Sequence, residues 1–262
     1  MGYYRRYLVY YFLAAFAEAG LWLLTVGTIY QPGVVFLIVA FFATAILCNL
    51  LGVLRYRKSI NRALRGGDIA AFLEENRRRI RRSIKKVRPI LQLNQVWALT
   101  LAGRFDEADK LFSEIRPSQK GRKRDLLTEQ LTFAMRGAGL AICQDRLADA
   151  DAQLEQLRRQ LRQLSSGDTL FTHYEKALQD LTAQRMVRGG GGTEYRSYFE
   201  NQAQSSEDKV PQGIGSFYLG LARENAGDTA GALASYRTAQ QLLPDLWPGR
   251  AAAERAAQLE QD

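Results

Sequence analysis

Two long apolar runs open the sequence, and the rest of the chain places apolar residues at helical spacing between polar ones. The runs cover 7–30 and 34–54, and only Gln31-Pro32-Gly33 separates them. Each run has the ~20 apolar residues that a membrane-crossing helix needs, and a Pro-Gly turn reverses the chain. The pattern therefore predicts a two-helix transmembrane hairpin over residues 1–58.

Positive charge is concentrated directly after the second run. Segment 55–89 holds 13 basic and three acidic residues, whereas 90–262 holds 21 basic and 23 acidic residues. Loops rich in Lys and Arg stay in the cytoplasm, and Arg5 and Arg6 precede the first run. We expect a multi-pass protein of the inner (plasma) membrane with both termini and the helical domain in the cytoplasm. A cleaved signal peptide is the alternative, since Ala15-Phe16-Ala17 resembles a cleavage site.

Segment 59–90 is predicted to be a basic, helical, juxtamembrane region. Gly66-Gly67-Asp68 interrupts a helix and restarts it with Asp68 as N-cap. Anionic lipid headgroups attract such a segment; a solvated face, or phosphate contacts with nucleic acid, are the alternatives. No aromatic side chains interleave the charges, so nucleic acid is the weakest of the three. The lipid-facing candidates are Arg77, Arg78, Arg81, Arg82, Lys85 and Lys86.

The remainder, 91–262, reads as a series of helices joined in pairs. Turn signals fall near 66, 103, 145, 190 and 227, and no stretch alternates apolar and polar residues as a strand does. The sequence predicts an all-α domain of antiparallel helix pairs over 91–262.

The last clear pair resembles a tetratricopeptide repeat. It has a Leu-Gly pair in the first helix, Gly at the turn, Ala five residues later, an aromatic after four more, then Ala and Pro. Ser216 and Arg223 depart from the pattern, which more commonly has Trp and Tyr there. The matching positions are Gly220, Gly227, Ala232, Tyr236, Ala239 and Pro244.

Weaker copies of the same offsets come earlier in the chain. One consists of Gly103, Ala108 and Phe112, and another of Asp145, Ala150 and Leu154. The resemblance implies a short, divergent α-solenoid, TPR-like, after the transmembrane hairpin. A non-repetitive helical bundle that uses Gly-Asp turns is the alternative.

The family resemblance implies a function in binding proteins, because stacked helix pairs form a concave groove. We expect a membrane-anchored scaffold that recruits or assembles protein partners. The alternatives are an accessory subunit of a membrane transport or secretion complex and a membrane-bound nucleic-acid binder. Groove candidates on the first helix of each pair are Asn94, Gln95, Trp97, Thr128, Gln130, Arg136, His173, Tyr174, Tyr218 and Arg223.

Motifs for chemistry are absent from the sequence. His173 is the single histidine, and Cys48 and Cys143 do not have a metal or disulfide spacing. We therefore expect no enzymatic activity, no metal and no cofactor. Glu18 is a charge in the middle of the first run, which is a functional hypothesis in a membrane span. Asn49, Thr44 or Cys48 could partner it, and the hairpin could also join copies of the chain.

Overall fold

A computed structural model describes residues 32–118 and 121–261. Every regular element in these ranges is helical, which confirms the all-α class. One short 3₁₀ turn, Thr193–Tyr195, precedes the helix that begins at Arg196. The helices are α1 Pro32–Gly66, α2 Ile69–Arg82, α3 Arg88–Leu101, α4 Phe105–Glu114, α5 Lys123–Cys143, α6 Leu147–Leu161, α7 Thr169–Arg188, α8 Arg196–Ser205, α9 Lys209–Asn225, α10 Thr229–Leu242 and α11 Trp247–Leu259.

A left-handed residue lies at each of the five turns that the sequence indicates. Four of them are glycines, which adopt positive φ without a steric penalty, and the fifth is Asp145 at φ 57°. Asp is among the few other residues that tolerate this region. These turns reverse the chain between α1 and α2, α3 and α4, α5 and α6, α7 and α8, and α9 and α10. The glycines are Gly67, Gly103, Gly190 and Gly227.

Three aspartates cap the helices that follow turns. The side chain of Asp68 accepts a hydrogen bond from Ala71 N, Asp168 from Leu170 N and Asp228 from Gly231 N. Each satisfies a backbone N–H that the first turn of a helix leaves free.

The helix pairs stack side by side, so that α3 packs on α5, α5 on α7, and α7 on α9. The second helices pack mainly on their own partners. Fully buried side chains fill the layers between pairs, including Phe72, Leu93, Leu131, Phe199 and Phe217.

The stack closes on itself. The last helix, α11, packs against α3, and Arg250 Nη2 donates to the carbonyl of Ala102 at 2.9 Å. The Trp247 ring meets that of Phe105 edge-on at 6.0 Å between centroids. The α9 helix also packs against the end of α1. The two ends of the helical domain, α3 and α11, are therefore neighbours. The first helices of the pairs face a common interior.

The structure corrects the predicted membrane localisation. Within the described ranges, no helix combines the length and apolar character required to cross a bilayer. The run 34–54 is the first part of α1, a 35-residue helix that continues through Arg55 and Arg65 to Gly66. Its last turns pack Ala63 into the core of the helical domain. The multi-pass membrane prediction is therefore wrong. The predicted first span, 7–30, lies outside the described residues.

Candidate functional site

A cavity of about 760 Å³ occupies the common interior of the helix pairs. Its walls come from α3, α5, α7, α8 and α9, together with Leu64 at the end of α1 and the start of α11. The second helices α4, α6 and α10 contribute no lining residue. The lining side chains recur about once per helical turn, as residues on one face of a helix must. On α5 and α7 they are Met135, Arg136, Gly139, Leu140, Cys143, Lys176, Ala177, Asp180, Leu181 and Gln184.

Large aromatic side chains form part of the wall and are held by contacts behind them. Trp97 packs edge-on against Phe72 with ring centroids 5.8 Å apart. Trp247 packs against Phe217 at 5.3 Å, and the Arg188 guanidinium stacks over it at 5.5 Å. These contacts fix the rings, so the wall is formed before any ligand arrives.

Arg136 is the most unusual group in this wall. Its guanidinium carbon lies 5.3 Å from the centre of the Trp97 ring, a cation–π geometry. Its Nε is buried and has no hydrogen-bond partner among the described residues, and no carboxylate there forms an ion pair with it. Burial lowers the pKa of Arg136 to about 10. The side chain remains a cation at neutral pH, although desolvation makes the charge costly.

Further polar atoms of the cavity are buried and lack partners among the described residues. The Tyr218 hydroxyl is one, on a residue only 1% exposed, and the Gln202 Oε1 is another. Burial raises the pKa of Tyr218 well above its usual value, so the hydroxyl keeps its proton and can donate. The Asp180 carboxylate, in contrast, has a partner, because it accepts a hydrogen bond from the Tyr198 hydroxyl. Burial raises the pKa of Asp180, and the positive charge of Lys176 opposes that shift.

Three of the ten predicted groove residues line the cavity: Trp97, Arg136 and Tyr218. The other seven do not. Arg223 lies instead on a structural network, where it contacts Glu200 at 3.2 Å and the carbonyl of Gly231 at 3.1 Å. Tyr174 is buried against Thr132. The remaining five lie outside the lining: Asn94, Gln95, Thr128, Gln130 and His173.

The repeat-signature residues lie at close contacts between helices. A Cβ on Gly220 would lie 2.5 Å from Cδ1 of Tyr236, so α9 and α10 approach closely only without it. In the earlier copy, Phe112 of α4 stacks on Phe133 of α5 with ring centroids 4.3 Å apart. Ala108, Ala232, Tyr236 and Ala239 are fully buried. Gly103 and Gly227 form turns, and Pro244 follows the end of α10.

Three of the six basic candidates on 77–86 are held in exposed ion pairs within the domain. Arg77 pairs with Glu107 at 3.9 Å, Arg78 with Glu74 at 3.1 Å, and Lys86 with Asp125 at 3.1 Å. Exposed pairs of this kind contribute little to stability. Arg81 and Lys85 are exposed, and Arg82 is partly exposed. Glu18 and the side chain of Asn49 lie outside what the structure describes.

Sequence reasoning missed the polar cavity residues of α7 and α8. Lys176, Asp180 and Gln184 recur at intervals of four, as do Tyr198 and Gln202, so their common face was visible in the sequence. Nothing in that spacing tells which face of the helix turns inward.

No group of three or more His, Cys, Asp or Glu side chains that could hold a metal ion occurs in the described ranges. No family model, curated protein or solved structure matches the chain.

Proposed function

We propose that this chain is a TPR-like scaffold that binds a segment of a partner protein in its central cavity. The cavity carries the proposal: its volume of about 760 Å³ and its fixed Trp97 and Trp247 suit a few partner side chains. Binding sites are typically concave, largely apolar and lined with a few polar groups. Most of the lining comes from the first helices of the pairs, which are the helices that bind partners in the family that this sequence resembles, and α8 is the one second helix that contributes to it.

The one thiol in the cavity wall favours binding over catalysis. Burial raises the pKa of Cys143 to about 12. Because the thiolate is the nucleophile, Cys143 is a poor one at neutral pH. Neighbouring charges do not reverse the effect of burial on this pKa, because Arg188 lowers the pKa and Asp145 raises it.

Binding in the cavity leaves the outer helices available for other contacts. α4, α6 and α10 carry exposed polar residues and take no part in the lining. A partner held inside and another held outside would be brought together on one chain, which is what a scaffold does.

Site-specific photocrosslinking in cells tests the proposal with the full-length chain. A photoreactive amino acid at Gln184 faces the cavity, and one at the exposed Gln163 serves as the control. We expect a partner that crosslinks at Gln184 and not at Gln163. Its capture should be lost in Gly139→Trp, which fills the cavity, and kept in Ala234→Trp on the exposed face of α10. A Cβ on Gly139 meets only Leu181 at an ordinary 3.6 Å, so the larger side chain extends into the cavity.

The outcome that contradicts cavity binding is equally specific. Partners captured equally at both positions, or capture from Gln184 that survives Gly139→Trp in a folded protein, would place recognition elsewhere. Circular dichroism of each variant checks that the fold is intact.

A further inference from the structure

We propose that the cavity recognises a carboxylate on the bound segment and that Arg136 is its counter-ion. This inference rests on the proposed function and adds the chemistry of the ligand: an acidic side chain or a free C-terminus next to an apolar residue. The main evidence is that the Arg136 guanidinium lines the cavity and has no anionic partner among the described residues.

Other shielded arginines of the domain show what Arg136 lacks. The side chains of Arg188, Arg223, Arg79 and Arg185 are 9, 17, 21 and 26% exposed, respectively. Each of them has a carboxylate oxygen within 4 Å. Charges taken out of water are ordinarily paired in this way, because an uncompensated one is destabilising. Arg136 is the departure, and it occurs at the cavity.

The position of Arg136 leaves its donors available. Its guanidinium is stacked on the Trp97 ring, and its terminal Nη groups form no hydrogen bond to a described residue. Unlike Nε, they are not among the fully buried unpaired atoms, so they are the donors that a ligand can reach. A planar guanidinium held by stacking keeps its fork of N–H groups fixed, which suits a carboxylate that accepts two bonds. The side chain is therefore oriented for an anion before the anion binds.

The charges in the cavity favour a single negative charge. Lys176 and Asp180 are one helical turn apart and act on each other electrostatically. Their charges offset, so Arg136 supplies a net charge of one. A carboxylate matches that charge, whereas a phosphate, with close to two negative charges at neutral pH, exceeds it.

The rest of the wall indicates what accompanies the carboxylate. Met135 and Leu140 lie on the same helix as Arg136, and Trp97 lies beneath its guanidinium. An apolar side chain adjacent to the acid would pack there.

Selection from a random-peptide phage library on the full-length protein supplies a probe without a known partner. Clones that bind wild type and not Gly139→Trp are synthesised with each Glu or Asp, or the free C-terminus, replaced in turn by the amide. We expect one carboxylate per peptide whose amide version binds about tenfold or more weakly, as expected for loss of a charged hydrogen bond. Arg136→Gln should weaken the parent peptide by the same factor and leave the amide version unaffected.

Arg162→Gln is the matched control. Arg162 is exposed at the end of α6, and its substitution removes the same charge from the protein as Arg136→Gln does. We expect it to leave binding unchanged. Arg136→Met, which keeps much of the apolar stem, is the second variant and should behave as Arg136→Gln does. Thermal unfolding of both variants checks that the fold is retained.

The outcomes separate the two proposals. Cavity-dependent peptides that bind equally well as amides, or equally well to Arg136→Gln, overturn the carboxylate inference and leave cavity binding intact. A phosphoserine peptide that binds more tightly than its glutamate version also overturns it. Failure to select any peptide sensitive to Gly139→Trp counts against both.

Discussion

Gly220→Ala should destabilise the protein although it places a better helix former inside a helix. The reason is the distance of 2.5 Å between the added Cβ and Cδ1 of Tyr236, where ordinary contacts are 3.4–4 Å. The ring cannot move away easily. Tyr236 is fully buried, its hydroxyl donates to Glu224, and its ring lies 6.1 Å from that of Phe217.

The magnitude follows from two opposing terms. Overpacking a well-filled core by this amount costs about 3 kcal/mol. Alanine in place of glycine in a helix interior stabilises the folded state by about 1 kcal/mol. We expect a net loss of about 2 kcal/mol, which lowers Tm by roughly 4–8 °C for a chain of this size.

Thermal and urea unfolding followed by circular dichroism measure the effect, and Tyr236→Ala gives the decisive comparison. Without the ring, Gly220→Ala should gain about 1 kcal/mol, so its sign reverses. Gly139→Ala is the control, because its Cβ would have an ordinary 3.6 Å contact; it should stabilise by about 1 kcal/mol. An equal loss in both Tyr236 backgrounds would refute the close-approach argument.

Three further predictions concern the cavity. Arg136→Met should raise Tm in the absence of ligand, because an uncompensated partly buried charge is removed; a lower Tm in thermal unfolding would contradict this. Burial raises the pKa of Asp180, so its contribution to stability is present at low pH and is lost as pH rises through the folded pKa. Asp180→Asn should therefore raise Tm at neutral pH and lose that advantage below the ordinary Asp pKa, as Tm measured against pH will show. In a Cys48→Ser background, Cys143 should react with a thiol reagent much more slowly at pH 8 than after unfolding, since its pKa is raised to about 12; equal rates would contradict that pKa.

The local features of the fold could be predicted from the sequence because they depend on near neighbours. Asp68 follows two glycines and precedes an amphipathic stretch, and the structure has it as an N-cap. Gly103 and Gly227 end apolar-periodic segments, and both adopt a positive φ. Such features need only the steric freedom of glycine and the capping ability of a short acidic side chain.

The candidate site was predictable only in part, because partners distant in sequence decide it. Arg136 and Arg223 both lie on the first helix of a pair and look equivalent in sequence. Glu200, 23 residues away, pairs with Arg223 and makes it structural, whereas Arg136 has no such partner in the described ranges. The membrane prediction was wrong although it rested on two signals, the length of the apolar runs and the basic residues that follow them, because no helix in the described ranges has the length and apolar character that a membrane span requires.

Closure of the stack explains why these distant partners matter. An open solenoid has a groove whose residues depend only on adjacent repeats. Here Arg250 and Trp247 of α11 contact Ala102 and Phe105 near the end of α3 and the start of α4. Trp247 thereby lines the same cavity as Trp97, 150 positions earlier in the chain. The cavity therefore requires both ends of the domain, and a change at the contact between α3 and α11 should alter ligand binding without touching Arg136.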